Sequence, residues 1–147
     1  MYIYKYQDDW DYTKFELTAK TSISIPYWLA IGFSDDQEMV NFVSVKFFNI
    51  KILFYQGEDS VVMCKYHPNG PNSVEQYYDI PSPGKDINIL DKDDVSVGIS
   101  QPEVRVEDSF FYCNFKRKKA VPGYEFYFDL SKSYYLFAAF GELNPGK

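Results

Sequence analysis

The sequence predicts an all-β domain built as an antiparallel β-sandwich. Several short segments alternate apolar and polar residues, and clusters of Pro, Gly, Asp and Ser separate them. Aromatic residues make up 20% of the 147 residues, which favours strands because flat rings fit a pleated surface. No segment has the apolar spacing of a helix. Many short strands with regular turns are typical of two packed antiparallel sheets.

The predicted strands are spread along the chain. They cover residues 12–18, 28–33, 60–66, 95–99, 103–107, 109–116, 123–130 and 134–140. Turn-forming residues predict loops at 67–72, 81–85, 121–123 and 129–133. The basic run Lys116–Lys119 is interpreted as a turn between strands. An acidic set is interpreted as a solvated loop, and it comprises Asp35, Asp36, Glu38, Glu58 and Asp59.

Length and charge limit the functions to consider. A chain of 147 residues corresponds to one domain, large enough to bury a core. Its net charge of -6 disfavours nucleic acid as a partner, because phosphate binding needs a basic surface. One His and two Cys do not supply the four ligands of a Cys/His zinc site. His67 lies in a predicted turn, and we expect no catalysis from this domain alone.

The start of the chain has neither the apolar run nor the cleavage site of a signal peptide. No apolar stretch is long enough to span a membrane as a helix. We therefore expect residues 1–147 to be a single domain that is truncated at both ends and belongs to a larger protein.

Residues 40–56 differ from the rest of the chain. They contain no acid, Gly or Pro, and they are rich in Phe, Ile, Asn, Lys and Tyr, whose codons are AT-rich. The segment opens with Val, whose codons begin with GT, and closes with Gln, which CAG encodes. One hypothesis is a retained intron, whose removal joins Met39 to Gly57. The other is an extra strand, unusually long for a sandwich.

With that join, the residues from Trp28 to Met39 read WLAIGFSDDQEM, and the residues from Gly57 to Cys64 follow as GEDSVVMC. This order resembles the DOMON domain family, whose pattern is an aromatic residue, then AIGFS-D, then MG-DD-V. Residues 112–117 match a later C-F-R strand, and residues 128–141 match FDL-YYL-A-G. The similarity is greatest to the DOMON modules of ferric-chelate reductase-like proteins, and it runs from about Trp10 to Gly141.

The resemblance implies an immunoglobulin-like β-sandwich that lies outside the cell or at its surface and binds haem b or sugar. Some members pass electrons to a membrane cytochrome of the b type. In haem-binding members a Met and a His hold the iron from opposite sides, and Met39 matches the Met. Two such ligands leave no open position on the iron, which suits electron transfer. The family's partner His lies near the end of the domain, where this sequence has Phe140 and Gly141.

The resemblance also bears on the cysteines. Cys64 and Cys113 match positions that often carry Cys in the reductase-like members. In an oxidising compartment they would form one disulfide that closes a loop of about 50 residues and adds about 3–4 kcal/mol. The alternative is two buried free thiols.

Three functional interpretations stay open. The first is a haem-binding electron-transfer module, with Met39 as an axial ligand. The second is a non-redox module for sugar binding or adhesion, in which Trp10, Trp28 or the Tyr pairs stack on the ligand. The third is a damaged gene model without a working product.

Overall fold

The computed structural model of the chain describes residues 2–21, 25–35, 59–79 and 87–143. Within these ranges the chain forms nine strands and no helix. The strands are β1 (Tyr2–Asp8), β2 (Tyr12–Lys20), β3 (Tyr27–Ser34), β4 (Asp59–Tyr66), β5 (Ser73–Asp79), β6 (Asn88–Ile89), β7 (Ile99–Glu107), β8 (Phe110–Lys118) and β9 (Tyr135–Glu142).

The strands form two sheets in which every pair is antiparallel. Sheet A has the order β1-β2-β8-β7, and sheet B has the order β6-β5-β4-β3-β9. The predicted all-β antiparallel sandwich is confirmed. Strands β2 and β8 lie inside sheet A, and β3, β4 and β5 lie inside sheet B, so these interior strands carry most of the core.

The core between the sheets comes from alternate residues of each strand, as the period of two in a strand requires. Sheet A contributes residues of β2 and β8, namely Phe15, Leu17, Ala19, Phe111, Cys113 and Phe115. Sheet B contributes residues of β3, β4 and β5, namely Leu29, Ile31, Phe33, Val62, Cys64 and Val74. The ring of Phe15 stacks on that of Phe115 and meets that of Phe33 edge to face.

A second apolar cluster lies on the other face of sheet B. It comprises Trp28, Ala30, Val61, Met63, Tyr77, Phe137, Ala139 and Leu143. Every residue of β3 is therefore buried. This explains why residues 28–33 form a continuous apolar run rather than an alternating one.

Strands β3 and β9 fit together through two aromatic residues that lie over two glycines. In the register, Trp28 is opposite Gly141, Ala30 is opposite Ala139, and Gly32 is opposite Phe137. A Cβ atom on Gly32 would lie 1.7 Å from Cζ of Phe137, and one on Gly141 would lie 2.9 Å from Nε1 of Trp28. Both strands thus carry the pattern aromatic-x-Ala-x-Gly, and each ring occupies the space over the other strand's glycine.

A disulfide between Cys64 of β4 and Cys113 of β8 joins the two sheets. The Cα atoms are 6.3 Å apart, and both residues are fully buried. The cysteines are separated by 49 residues in the sequence. A loop of this length corresponds to about 4 kcal/mol of stabilisation by restriction of the unfolded chain.

Three strand predictions need correction. Residues 95–98 form a turn, and the expected strands at 95–99 and 103–107 are one strand, β7, with an irregular register between Ser100 and Glu103. Gln101 has a φ of 50° there, and Pro102 is tolerated because β7 is an edge strand.

Residues 123–130 form turns rather than a strand, because Tyr127 and Phe128 fold inward over β8. Strands β1, β5 and β6 were not predicted.

Two charged segments were also misassigned. Lys116–Lys118 lies in β8 rather than in a turn, because Arg117 continues the inward-facing series of that strand. Asp59 begins β4 and is buried, whereas Asp35 is exposed as expected. The other three acidic residues of that set, Asp36, Glu38 and Glu58, lie outside the described residues.

The contact between Gly32 and Phe137 predicts that adding a single methyl group at Gly32 lowers the stability of the fold. We expect Gly32→Ala to lower the free energy of unfolding by about 1–3 kcal/mol, because the added Cβ must displace a buried ring. Adding Phe137→Leu to Gly32→Ala should recover part of this loss. Denaturant unfolding of the purified chain measures both effects.

Gly70→Ala is the matched control, since its Cβ would meet only the side chain of His67, with Cβ at 3.4 Å, an ordinary contact. Its effect should stay within about 0.5 kcal/mol. If Gly32→Ala were as mild as Gly70→Ala, the proposed packing of Phe137 over Gly32 would be wrong.

Candidate functional site

Arg117 carries a buried positive charge between the two sheets. Its side chain has no exposed surface (0%). Nε donates to Oε1 of Gln76 at 3.2 Å, and Nη2 donates to Oγ of Ser60 at 3.3 Å. Nη1 donates to the carbonyl oxygens of Phe128 at 3.0 Å and Lys118 at 3.3 Å. These bonds replace much of the hydration that the guanidinium loses on burial.

Aromatic rings contact the same guanidinium. Its Cζ lies 3.9 Å from the ring centroid of Tyr127 and 5.1 Å from that of Phe33. The negative face of each ring attracts the cation. Burial lowers the pKa of Arg117 to about 10, so the group is still charged at neutral pH. Burial raises the pKa of Tyr127 to about 12, so its phenol stays protonated and donates to the carbonyl oxygen of Lys118.

Gln76 extends this polar network into sheet B. Its Nε2 donates to Oγ of Ser60 and to the carbonyl oxygen of Val61, each at 3.0 Å. The amide, the hydroxyl and the guanidinium therefore bind one another inside the sandwich. Because these groups are buried and already bonded to protein, we assign them a structural role and not a catalytic one.

Two links between the sheets come from the same pair of strands. Cys113 of β8 bonds to Cys64 of β4, and Arg117 of β8 bonds to Ser60 of β4. The two links are four residues apart on each strand, which corresponds to roughly 13 Å. We call these four residues the β4–β8 seam.

A second polar cluster lies on the outer face of sheet B. Nζ of Lys65 donates to Oε2 of Glu75 at 2.7 Å and to the hydroxyl of Tyr77 at 2.6 Å. The Tyr77 hydroxyl also bonds to Glu75. Burial opposes the charge of Glu75, but hydrogen bonds from Lys65, Tyr77 and Ser73 outweigh it and hold the pKa of Glu75 below its usual value. Burial raises the pKa of Tyr77, and the hydrogen bond with Glu75 and the negative charge of Glu75 raise it further.

The predicted haem ligand, Met39, stays a prediction, because the described part of the chain does not include it. Met39 lies outside the described residues, five positions beyond the last residue of β3. His67, the sole His of the sequence, follows β4, and its backbone N–H donates to Oδ1 of Asn72 at 2.9 Å. Because β4 runs antiparallel to β3, His67 is roughly 26 Å along the sheet from the end at which β3 stops. His67 therefore lies away from the end of β3 after which Met39 follows in the sequence.

The described residues also contain no cluster of three or more His, Cys, Asp or Glu side chains suited to a metal ion. The predicted extra segment at 40–56 lies outside the described residues as well.

The two Trp residues expected to stack on a ligand differ sharply in exposure. Trp28 is 3% exposed and belongs to the cluster on sheet B, so no ligand can stack on it. Trp10 is 89% exposed at the turn between β1 and β2. Tyr6 of β1 is also strongly exposed, at 61%. The β1–β2 hairpin, residues 2–20, thus carries the most accessible aromatic surface of the described chain.

Hydrogen bonds hold the turn that presents Trp10. The N–H of Asp9 donates to the carbonyl oxygen of Tyr12 at 2.9 Å, and the N–H of Trp10 donates to Oδ1 of Asp9 at 2.7 Å. Asp8 accepts from Oγ1 of Thr13 and pairs with Nζ of Lys119, each at 3.1 Å. These two interactions, Lys119 first, lower the pKa of Asp8, so it is charged at neutral pH.

Sequence reasoning missed Arg117 and Gln76 as interior residues. The signal for Arg117 was present, because Phe111, Cys113, Phe115 and Arg117 recur at every second position. The neighbouring lysines led to the prediction of a turn instead, since a basic run is usually solvated. No comparable signal marks Gln76, because its burial depends on the partner strands.

The Arg117 network predicts a large loss of stability on truncation. We expect Arg117→Ala to lower the free energy of unfolding by about 3 kcal/mol or more, because it leaves a cavity and removes partners of Ser60 and Gln76. Arg117→Lys should cost less, since it keeps a charge but loses the planar fork. Guanidinium chloride unfolding measures both variants.

Lys116→Ala is the control, because this neighbour on β8 points to the outer face of sheet A. Its effect should stay within about 0.5 kcal/mol. Equal unfolding midpoints for Arg117→Ala and Lys116→Ala would contradict the structural role of the buried charge.

Comparison with known proteins agrees with the resemblance read from the motifs. The chain is 29% identical over 133 residues to the human DOMON domain-containing protein FRRS1L and 28% identical over 133 residues to the mouse protein of the same name. The alignment covers 90% of this chain and 36% of each relative. The chain therefore spans about a third of the length of these curated relatives.

No family model matches the chain, and no solved structure matches it. In the described part of the chain, no helix is long and apolar enough to cross a membrane. The two relatives match the predicted similarity to DOMON domains of ferric-chelate reductase-like proteins, and that resemblance is confirmed.

Proposed function

We propose that this chain is the DOMON-type module of a ferric-chelate reductase-like protein and acts as a non-redox binding or adhesion module. The exposure of Trp10 on a hydrogen-bonded turn carries this proposal. An indole that stays exposed to solvent in the folded chain is available to a sugar or a protein partner. Of the two Trp residues in the sequence, Trp10 is the accessible one.

The proposal places the module outside the cell or in another oxidising compartment. The disulfide of the β4–β8 seam supports this location, because structural disulfides persist in secreted and cell-surface proteins and are rare in the cytosol. Its cysteines lie in the centre of the core, where a reduced pair would remove the covalent link between the sheets.

The binding function predicts saturable attachment of the folded chain to a surface. The labelled chain should bind intact cultured animal cells with a plateau, and an excess of unlabelled chain should displace it. The control is the same chain after reduction and alkylation in denaturant, which should not bind specifically. The proposal fails if the folded chain gives only a linear, non-displaceable signal.

Haem b binding with electron transfer is the second candidate, and the position of Met39 in the DOMON pattern favours it. Haem would supply one-electron chemistry, and a b-type cytochrome membrane domain of the full-length protein would be its redox partner. Met39 lies outside the described residues, and His67 does not match the family's partner His, whereas Trp10 and its turn are described. The binding interpretation therefore has the stronger structural support.

A titration with hemin separates the two candidates. The non-redox proposal predicts that the chain gives no sharp Soret band and that Met39→Ala leaves the spectrum unchanged. A stoichiometric Soret band that Met39→Ala weakens would favour the haem function instead. Met63→Ala is a control for nonspecific effects, since Met63 is buried in the cluster on sheet B.

A further inference from the structure

We infer that the turn of the β1–β2 hairpin is the docking point for a partner protein that offers an indole-sized apolar pocket rimmed by Lys and Arg. We call residues Asp8–Asp11 the hairpin tip. The inference rests on the proposed binding function, which it deepens by naming the contact and the class of partner.

The first argument is the accessible apolar surface. Trp10 leaves 89% of its surface in water, and Tyr6 on the same hairpin leaves 61%. Trp and Tyr are enriched among the few residues that dominate the energy of protein interfaces. An isolated exposed aromatic residue is ordinary. Here two strongly exposed aromatic residues, Trp10 and Tyr6, share one hairpin.

The second argument is that the hairpin tip is already ordered before any partner binds. The backbone of Asp9 bonds to Tyr12, and the backbone of Lys119 donates to the carbonyl oxygen of Asp11 at 2.8 Å. The side chain of Lys119 pairs with Asp8 at 3.1 Å. Lys119 follows β8 directly, so the tip is tied to a central strand of sheet A. An ordered tip loses little conformational entropy on binding, which raises affinity.

The third argument is charge. The hairpin tip holds three carboxylates, on Asp8, Asp9 and Asp11, against the one ammonium group of Lys119 that pairs with Asp8. Lys118 is the nearest further cation by register, since it lies opposite Tyr12 at the outer face of sheet A. Lys14 on that face pairs with Glu16 at 3.0 Å. Asp9 and Asp11 therefore flank the indole with negative charge, and a basic rim complements them.

Shape favours a protein over the alternatives. Trp10 projects from a turn, and a projecting ring fits a concave pocket. A sugar platform is extended by further exposed ring faces, but Tyr12 beside the tip is half-buried and Trp28 is buried. The acidic flanks also oppose contact with the anionic surface of a cell membrane.

Binding of the labelled 147-residue chain to intact cultured animal cells tests the inference. We expect Trp10→Ala to weaken saturable binding about tenfold or more and Trp10→Phe to weaken it less. The pair Asp9→Asn and Asp11→Asn should weaken binding at low salt and reduce its salt dependence. Phe110→Ala is the matched control, because Phe110 is a partly exposed aromatic residue at the opposite end of sheet A, and it should leave binding unchanged.

Treatment of the probed surface identifies the class of partner. Trypsin treatment of the cells should abolish binding, and glycosidase treatment should not. The inference is overturned if binding survives trypsin, if glycosidases remove it, or if vesicles of phosphatidylcholine and phosphatidylserine reproduce it. Wild-type binding that Trp10→Ala leaves intact overturns the docking point but not the proposed function. Absence of any saturable wild-type binding overturns both.

Discussion

The β4–β8 seam is the constraint on which the rest of the sandwich depends. Its disulfide fixes the distance between the sheets at one point, and Arg117 and Ser60 hold the sheets together four residues further along each strand. A buried guanidinium is tolerable only where hydrogen-bond acceptors and ring faces replace water. Gln76 of β5 meets this requirement with its amide oxygen, Phe128 with its carbonyl oxygen and Tyr127 with its ring face. Contacts with Arg117 thus help to hold the loop before β9 in turns, although its composition favours a strand.

The motifs that define the DOMON resemblance acquire a physical meaning in this arrangement. The C-F-R motif supplies the inward face of β8, with the cysteine and the arginine of the seam and a core phenylalanine between them. The W-x-A-x-G and F-x-A-x-G patterns of β3 and β9 are complementary, because each aromatic ring lies over the other strand's glycine. These motifs therefore maintain the packing of the sandwich, and none of their residues lies on the β1–β2 hairpin.

The fold class was predictable because alternation along β2 and β8 and the apolar run of β3 are local signals. Residues 123–130 misled the prediction, since their aromatic content is that of a strand. Their rings instead pack in turns, with Tyr127 on Arg117 and Phe126 on Tyr78. The candidate contact residue Trp10 was visible as one of two tryptophans, yet the choice between them needed the structure. Sequence alone does not show that Trp28 is covered in the cluster on sheet B, whereas the turn leaves Trp10 in water.

Peptide mass mapping of the purified, non-reduced chain tests the central claim most directly. The account predicts that the peptide containing Cys64 is recovered joined to the peptide containing Cys113, and that reduction separates them with a gain of two hydrogens. It also predicts that neither cysteine reacts with an alkylating agent in the native, non-reduced chain. Two free thiols at these positions in protein purified from an oxidising compartment would contradict the disulfide of the β4–β8 seam. The proposed location outside the cell would then lose its main structural support.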